Sequence, residues 1–226
     1  MTGALLLDLD GTLLDTPGAI TRTLHSVLRD VAGCAVGMDA VRATVGKPLD
    51  TSVASLLGRD AAAPVVNEAV ARYREAFAAT VLPQARDIVL PGVVEGLTLA
   101  REAGMVLALA TSKVLASTEP LLRAAGLDGF FTVVACHDMV DRGKPHPDLA
   151  LYAAEALTVP PAGCTVVGDS GDDMRMARGA GMRALAVTTG VASAATLVEA
   201  GAHAVYGRFD ALVRDVLAHG PELVKP

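Results

Sequence analysis

The sequence is poor in the features that mark several function classes. Its basic residues form no cluster: 19 Lys and Arg are spread among 25 Asp and Glu, for a net charge of -6. Binding a phosphate backbone needs gathered cations, so nucleic acid is not an expected partner. Cysteine is scarce. Cys34, Cys136 and Cys164 form no close pair, which indicates neither a zinc site nor a disulfide framework, and free thiols fit a reducing cytosol. No apolar run approaches the roughly 20 residues of a membrane span. Met1-Thr2-Gly3 lacks a basic region and Leu5-Leu6-Leu7 is too short for a signal core, so a cytoplasmic location is expected. There is no internal repeat and no low-complexity tract.

What remains is a chain of 226 residues, 52% hydrophobic. That is enough for one sizeable core, or for a core with a smaller second domain. An acidic protein that handles an anionic substrate must gather positive charge locally, from a metal or a few placed cations.

The organising stretch is Leu5-Leu6-Leu7-Asp8-Leu9-Asp10-Gly11-Thr12. A short apolar run closed by glycine reads as a buried strand. Its acids then stand at the carboxyl end, where open α/β sheets place ligands. Two like charges so close repel each other, and the arrangement makes sense if something positive sits between them or if one acid holds a proton. The plain alternative is a strand ending in a polar turn.

Beyond it, apolar spacing predicts helices over Pro17 to Ala32, Val41 to Val45, Thr51 to Leu57 and Pro64 to Leu82, with no strand among them. Thr16 is the candidate N-cap of the first of these and Gly33 its stop. Residues 17–82 are therefore read as a helical insertion, and 1–16 with 83–226 as the core. From Val93 onward, helices expected at Val93 to Ala103, about Leu115 to Ala125, Pro147 to Leu157, Met174 to Ala180, Ala194 to Ala200 and Ala211 to Ala218 alternate with strands. Strands are expected at Met105 to Ala110, Phe131 to Ala135, Thr165 to Gly168 and Arg183 to Val187. The fold class is α/β: a Rossmann-like, mostly parallel sheet core with an inserted all-helical cap domain.

Polar groups stand at three strand ends: Asp8 and Asp10, Thr111 and Ser112, and Asp169 with Asp172 and Asp173. Lys144 sits in the turn Gly143-Lys144-Pro145, where a cis peptide is expected because X–Pro permits one. Clustered carboxylates with no His or Cys among them suit a hard cation such as Mg²⁺, which shares its shell with a phosphate. Hydroxyls and an ammonium would serve the remaining phosphate oxygens. With the repulsion screened, Asp8 could attack phosphorus.

These residues carry a resemblance. Asp8-Leu9-Asp10-Gly11-Thr12, Thr111-Ser112-Lys113, Lys144-Pro145 and Gly168-Asp169-Ser170-Gly171-Asp172-Asp173 resemble the ordered motifs of the haloacid dehalogenase superfamily, over essentially the whole chain. The helical insertion is similar to the type-1 cap of the phosphoglycolate phosphatase and β-phosphoglucomutase branch. The resemblance implies a nucleophilic Asp8 that forms an aspartyl-phosphate, and Asp10 as general acid and then general base. It implies Mg²⁺ held by Asp8, the Asp10 carbonyl, Asp169 and Asp173, with Thr111, the Ser112 backbone and Lys144 on the phosphoryl group. An acid at Asp10 points to phosphatases and phosphomutases, because an alkoxide leaving group needs a proton. Lys47, in Val45-Gly46-Lys47-Pro48, is the candidate cap contact for a polar or anionic substrate. Arg42, Arg72 and Arg74 are read as a charged helix face, His146 as a loop residue, and Met174 and Met176 as packing.

The expected function is Mg²⁺-dependent hydrolysis of a small phosphomonoester. A hexose phosphomutase, a phospho-receiver and a non-catalytic binding protein are the alternatives. Phosphoglycolate is the branch's default substrate. The Lys47 segment is also similar to proteins associated with 3-amino-5-hydroxybenzoate biosynthesis, which would imply a sugar phosphate, and pyrophosphate is a further option.

Overall fold

The computed structural model describes residues 3–33 and 36–219; Cys34 lies outside them. Six parallel strands stand in the order β3-β2-β1-β4-β5-β6. They are β1 (Ala4–Leu7), β2 (Val106–Thr111), β3 (Val133–Cys136), β4 (Cys164–Gly168), β5 (Arg183–Val187) and β6 (Ala204–Tyr206). The most apolar strand is central: every residue of β1 is fully buried. Its alternation splits the interior. Leu5 and Leu7 join one apolar cluster, Ala4 and Leu6 the other. The order reverses between β1 and β4, which opens a crevice at their carboxyl ends.

Between β1 and Leu82, the elements among the described residues are all helical: α1 (Pro17–Ala32), α2 (Met38–Arg42), α3 (Leu49–Leu57) and α4 (Pro64–Val81). The 3-10 turn Leu82–Gln84 leads back to the core. Ile20, Leu24, Val27 and Leu28 of α1 and Val66, Val70, Tyr73 and Phe77 of α4 are buried. They belong to the same apolar cluster as Leu5 and Leu7.

The remaining helices are α5 (Val93–Glu102), α6 (Leu115–Ala125), α7 (Asp148–Ala156), α8 (Gly171–Gly179), α9 (Ala194–Glu199) and α10 (Phe209–His219). Helices α1 and α6 coincide with the spans expected from sequence, and so does β5. The structure differs from expectation at several places, and the second helix covers Met38–Arg42 rather than Val41 to Val45. Strand β6 was not anticipated; a three-residue edge strand is too short to show a period. Helix α8 begins at Gly171 rather than Met174, because Ser170 and Asp173 form a reciprocal cap and acids are favourable in a first turn. Thr16 precedes α1 but makes no side-chain cap bond, since its hydroxyl is used elsewhere.

Helix α10 is anchored by Phe209, 2% exposed, whose ring lies against Gly96 of α5. A Cβ at Gly96 would stand 2.7 Å from that ring. Phe209→Ala should lower unfolding free energy by about 3–5 kcal/mol, read as a lower urea midpoint at unchanged slope. A loss under about 1 kcal/mol would show that α10 is held by other contacts.

Candidate active site

The crevice gathers groups from four chain segments. Asp8 follows β1, and its N–H donates to the Val167 carbonyl of β4 at 2.9 Å. Asp169 follows β4 and Asp173 lies in the first turn of α8. Lys144 comes from the loop before α7, where the Lys144–Pro145 peptide is cis as expected. All four side chains are buried.

Lys144 Nζ donates to Asp8 Oδ1 and to Asp173 Oδ1, both at 2.6 Å. Asp173 Oδ2 accepts from the Ser170 hydroxyl at 2.6 Å and the Ser170 N–H at 3.1 Å. Asp169 Oδ2 accepts from the Val191 N–H at 2.8 Å, and its Oδ1 from Thr12 Oγ1 at 3.4 Å. Two glycines make room for this carboxylate. A Cβ at Gly190 would stand 1.7 Å from Asp169 Oδ2, and one at Gly11, where φ is +82°, 2.6 Å from it.

One carboxylate oxygen each of Asp8, Asp169 and Asp173 lies within 4.8 Å of the others. Three buried carboxylates face one ammonium, so the site has surplus negative charge. Burial pushes the Asp8 carboxyl up to about 7, with Lys144 opposing and Asp173 and Asp10 adding. Burial, then the charges of Asp8 and Asp173, hold Asp169 well above the usual carboxylate range, against the Val191 N–H and Lys144. Burial alone would lower Lys144, but Asp173 and Asp8 outweigh it and raise the ammonium above its ordinary value. An all-oxygen donor set with excess negative charge fits a hard divalent cation.

Asp10 is held apart from this cluster. Its Oδ1 accepts from Thr16 Oγ1 at 2.5 Å, and its Oδ2 faces Lys113 Nζ at 3.1 Å. Its carboxylate lines a cavity of about 280 Å³ together with Ser112, Lys113, Lys47, Tyr73 and Phe77. The cavity therefore lies between the helical insertion and the crevice. Burial, then the charge of Asp10, raises the Tyr73 phenol well above its ordinary value.

Thr111 ends β2, and its Oγ1 accepts from the Lys113 N–H at 3.2 Å. Ser112 Oγ is buried without a hydrogen-bond partner. Lys47 is exposed and reaches the site only as part of the cavity lining. Arg74 also lines the cavity, whereas Arg72 pairs with Glu68 at 3.0 Å on the surface. Asp172 pairs with Arg175, His146 is exposed, and Met174 and Met176 pack in the core. Sequence reasoning missed the partners that orient the acids: Thr12, Thr16, Lys113, Ser170 and the Gly190–Val191 backbone. Thr12, Lys113 and Ser170 lie inside the quoted motifs, and that proximity is their available signal.

The fold is α/β, with a buried carboxylate–lysine cluster at the sheet's switch point. Residues 5–187 match the family model described as haloacid dehalogenase-like hydrolase. "Probable phosphatase IndB" of Dickeya dadantii is 44% identical over 191 residues, covering 84% of this chain and 83% of that protein. A phosphoglycolate phosphatase of Nitrosospira multiformis is 34% identical, covering 83% of each. The solved structure of CbbY from Rhodobacter sphaeroides in complex with phosphate superposes with a TM-score of 0.78 at 26% identity, covering 94% of this chain and 96% of that one. The chain belongs to the haloacid dehalogenase-like hydrolases and is a phosphatase of that family.

The raised carboxyls have a consequence in metal-free protein. Between the ordinary value of 3.8 and about 7 for Asp8, the folded state binds more protons than the unfolded chain. Stability contributed by this group is therefore lost as pH rises through that window. In chelator, the melting temperature of Asp8→Asn relative to wild type should increase from pH 4 to pH 7. A constant difference would show that burial does not penalise this carboxylate.

Proposed function

We propose that this phosphatase hydrolyses a phosphomonoester of a small metabolite, phosphoglycolate-like or a sugar phosphate, through an aspartyl-phosphate on Asp8, with Mg²⁺ as cofactor. The observation that carries the reading is the division between the acids. Asp8 belongs to the cluster with Lys144, Asp169 and Asp173, while Asp10 faces the cavity with partners of its own.

Lys144 and Thr111, with the Ser112 backbone, would hold the phosphoryl oxygens. An Asp8 oxygen attacks phosphorus as the ester bond breaks, and Asp10 protonates the departing alkoxide. Water then attacks phosphorus, its proton passes to Asp10, and orthophosphate leaves as Asp8 is restored. Asp8, Asp169, Asp173 and the Asp10 carbonyl would hold Mg²⁺. When bound, the ion neutralises the surplus carboxylate charge and stabilises charge on the transferring group.

Residues 17–82 act in this reading as a cap over a core of 1–16 and 83–226. Closing the cap would exclude water and leave the cavity to choose the leaving group. Lys47 and Arg74 give that cavity cationic sites suited to an anionic or polyhydroxylated leaving group. The names of the relatives support phosphoglycolate as the first substrate to try. No helix of the described residues is long and apolar enough to cross a membrane.

Phosphate release over a panel of phosphoglycolate, sugar phosphates and pyrophosphate, with and without Mg²⁺, tests the reading. Asp8→Asn should lower the rate by about 10⁴-fold or more, as nucleophile loss does in other covalent enzymes. Wild-type activity in that variant would remove Asp8 as nucleophile, and isomer formation without phosphate release would indicate a mutase.

Mg²⁺ should also raise thermal stability. A concentration near 100 times its dissociation constant adds about 2.7 kcal/mol, and Asp169→Asn should abolish most of that gain. An equal Mg²⁺-induced shift in variant and wild type would exclude Asp169 from the ion.

A further inference from the structure

Lys113 has no part in the scheme above, yet its ammonium joins the two halves of the site. Nζ stands 3.1 Å from Asp10 Oδ2, with 14% of the Lys113 side chain and 10% of the Asp10 side chain exposed. On its other side it lies 4.7 Å from the centroid of the Phe77 ring. Phe77 belongs to α4 and stacks on Tyr73 at 5.6 Å. The backbone of Lys113 is tied to the core, since its N–H donates to Thr111 Oγ1 and its carbonyl accepts from the His137 N–H at 2.9 Å. The cation is thus rooted in the core, paired with a core carboxylate and capped by an aromatic face of the helical insertion.

Thr16 Oγ1 holds the other oxygen of Asp10. With a partner on each oxygen, the Asp10 carboxyl group is held in one orientation.

We propose that Lys113 is a positioning residue for Asp10: seated against Phe77, it holds the Asp10 carboxylate as proton acceptor for the water that hydrolyses phosphorylated Asp8. The inference rests on the function proposed above. In this step the water oxygen bonds to phosphorus as the phosphorus–Asp8 oxygen bond breaks. The water proton goes to Asp10, orthophosphate leaves, and Asp8 returns as a carboxylate. A base fixed at both oxygens spends no time in unproductive orientations. The cation–ring contact makes the placement of Lys113 depend on α4 being docked on the core.

Burst kinetics with p-nitrophenyl phosphate isolate the step, because p-nitrophenolate departs without needing a proton. Lys113→Met should release a burst of about one p-nitrophenolate per chain, the signature of an accumulating covalent intermediate. The steady rate should then fall about 10²-fold, the lower end of general-base effects. Lys113→Arg should recover most of that rate. Phe77→Leu keeps the ammonium and removes the ring; it should keep the burst and slow the steady rate about two- to fivefold, the size of one cation–π contact. Equal loss of burst and steady rate in Lys113→Met, or no loss at all, would overturn the inference. Should a melt show Lys113→Met unfolded, a Phe77→Leu steady rate equal to wild type overturns it instead. An Asp8→Asn protein with full activity sinks the underlying mechanism; with Asp8→Asn inactive, a missing burst sinks this inference alone.

Discussion

The ammonium of Lys144, wedged between Asp8 and Asp173 at 2.6 Å from each, is the contact on which the site depends. It is one positive charge against three buried carboxylates, since Asp169 stands in the same group. Buried ion pairs are costly to assemble, and breaking one leaves an uncompensated charge. The surrounding structure answers that cost with hydrogen bonds. Ser170 takes one oxygen of Asp173, and Val191 and Thr12 take those of Asp169. The negative charge still unanswered is what a divalent cation would use, and the bound ion would then screen these carboxylates from an anionic phosphate. In the proposed function, stability of the empty fold is traded for affinity toward those ligands.

The second acid illustrates how environment divides two identical side chains. Asp8 and Asp10 are two residues apart. One is drawn into the cluster by Lys144; the other is turned to the cavity by Thr16 and Lys113. The partners of Asp10 come from the segment leading into α1 and from the end of β2, with Phe77 of α4 behind Lys113. The first group is therefore set within the core, while the second is set where the helical insertion meets it. This division is what the proposed roles require, with one carboxylate bonding to phosphorus and the other moving a proton.

Much of the fold was legible because its signals are local. Leu5-Leu6-Leu7 reads as a buried strand, and Pro17 to Ala32 shows its helical period between a proline start and a glycine stop. Chemical residues at strand ends were legible for the same reason: Asp8, Thr111 and Asp169 follow directly on apolar runs. Strand β6 was hidden by its length, and the start of α8 by a run of acids that a turn would also explain. Thr16 misled for an instructive reason. A threonine before a proline-initiated helix is a good cap by local rules, but Asp10 lies within reach and offers a charged acceptor, which forms the stronger bond.

From sequence alone come the alternating α/β architecture, the helical insertion, the acids with their metal-like grouping, and the family they resemble. These depend on periodicity, turn chemistry and residue type, all readable along the chain. The tertiary structure decided which oxygen each acid offers to which partner, that Lys144 bridges Asp8 to Asp173 across 136 and 29 positions, and that Lys113 meets both Asp10 and Phe77. Those choices depend on charges brought together from distant segments inside a low-dielectric crevice. Their energies arise from burial and distance, and neither quantity exists until the chain has folded.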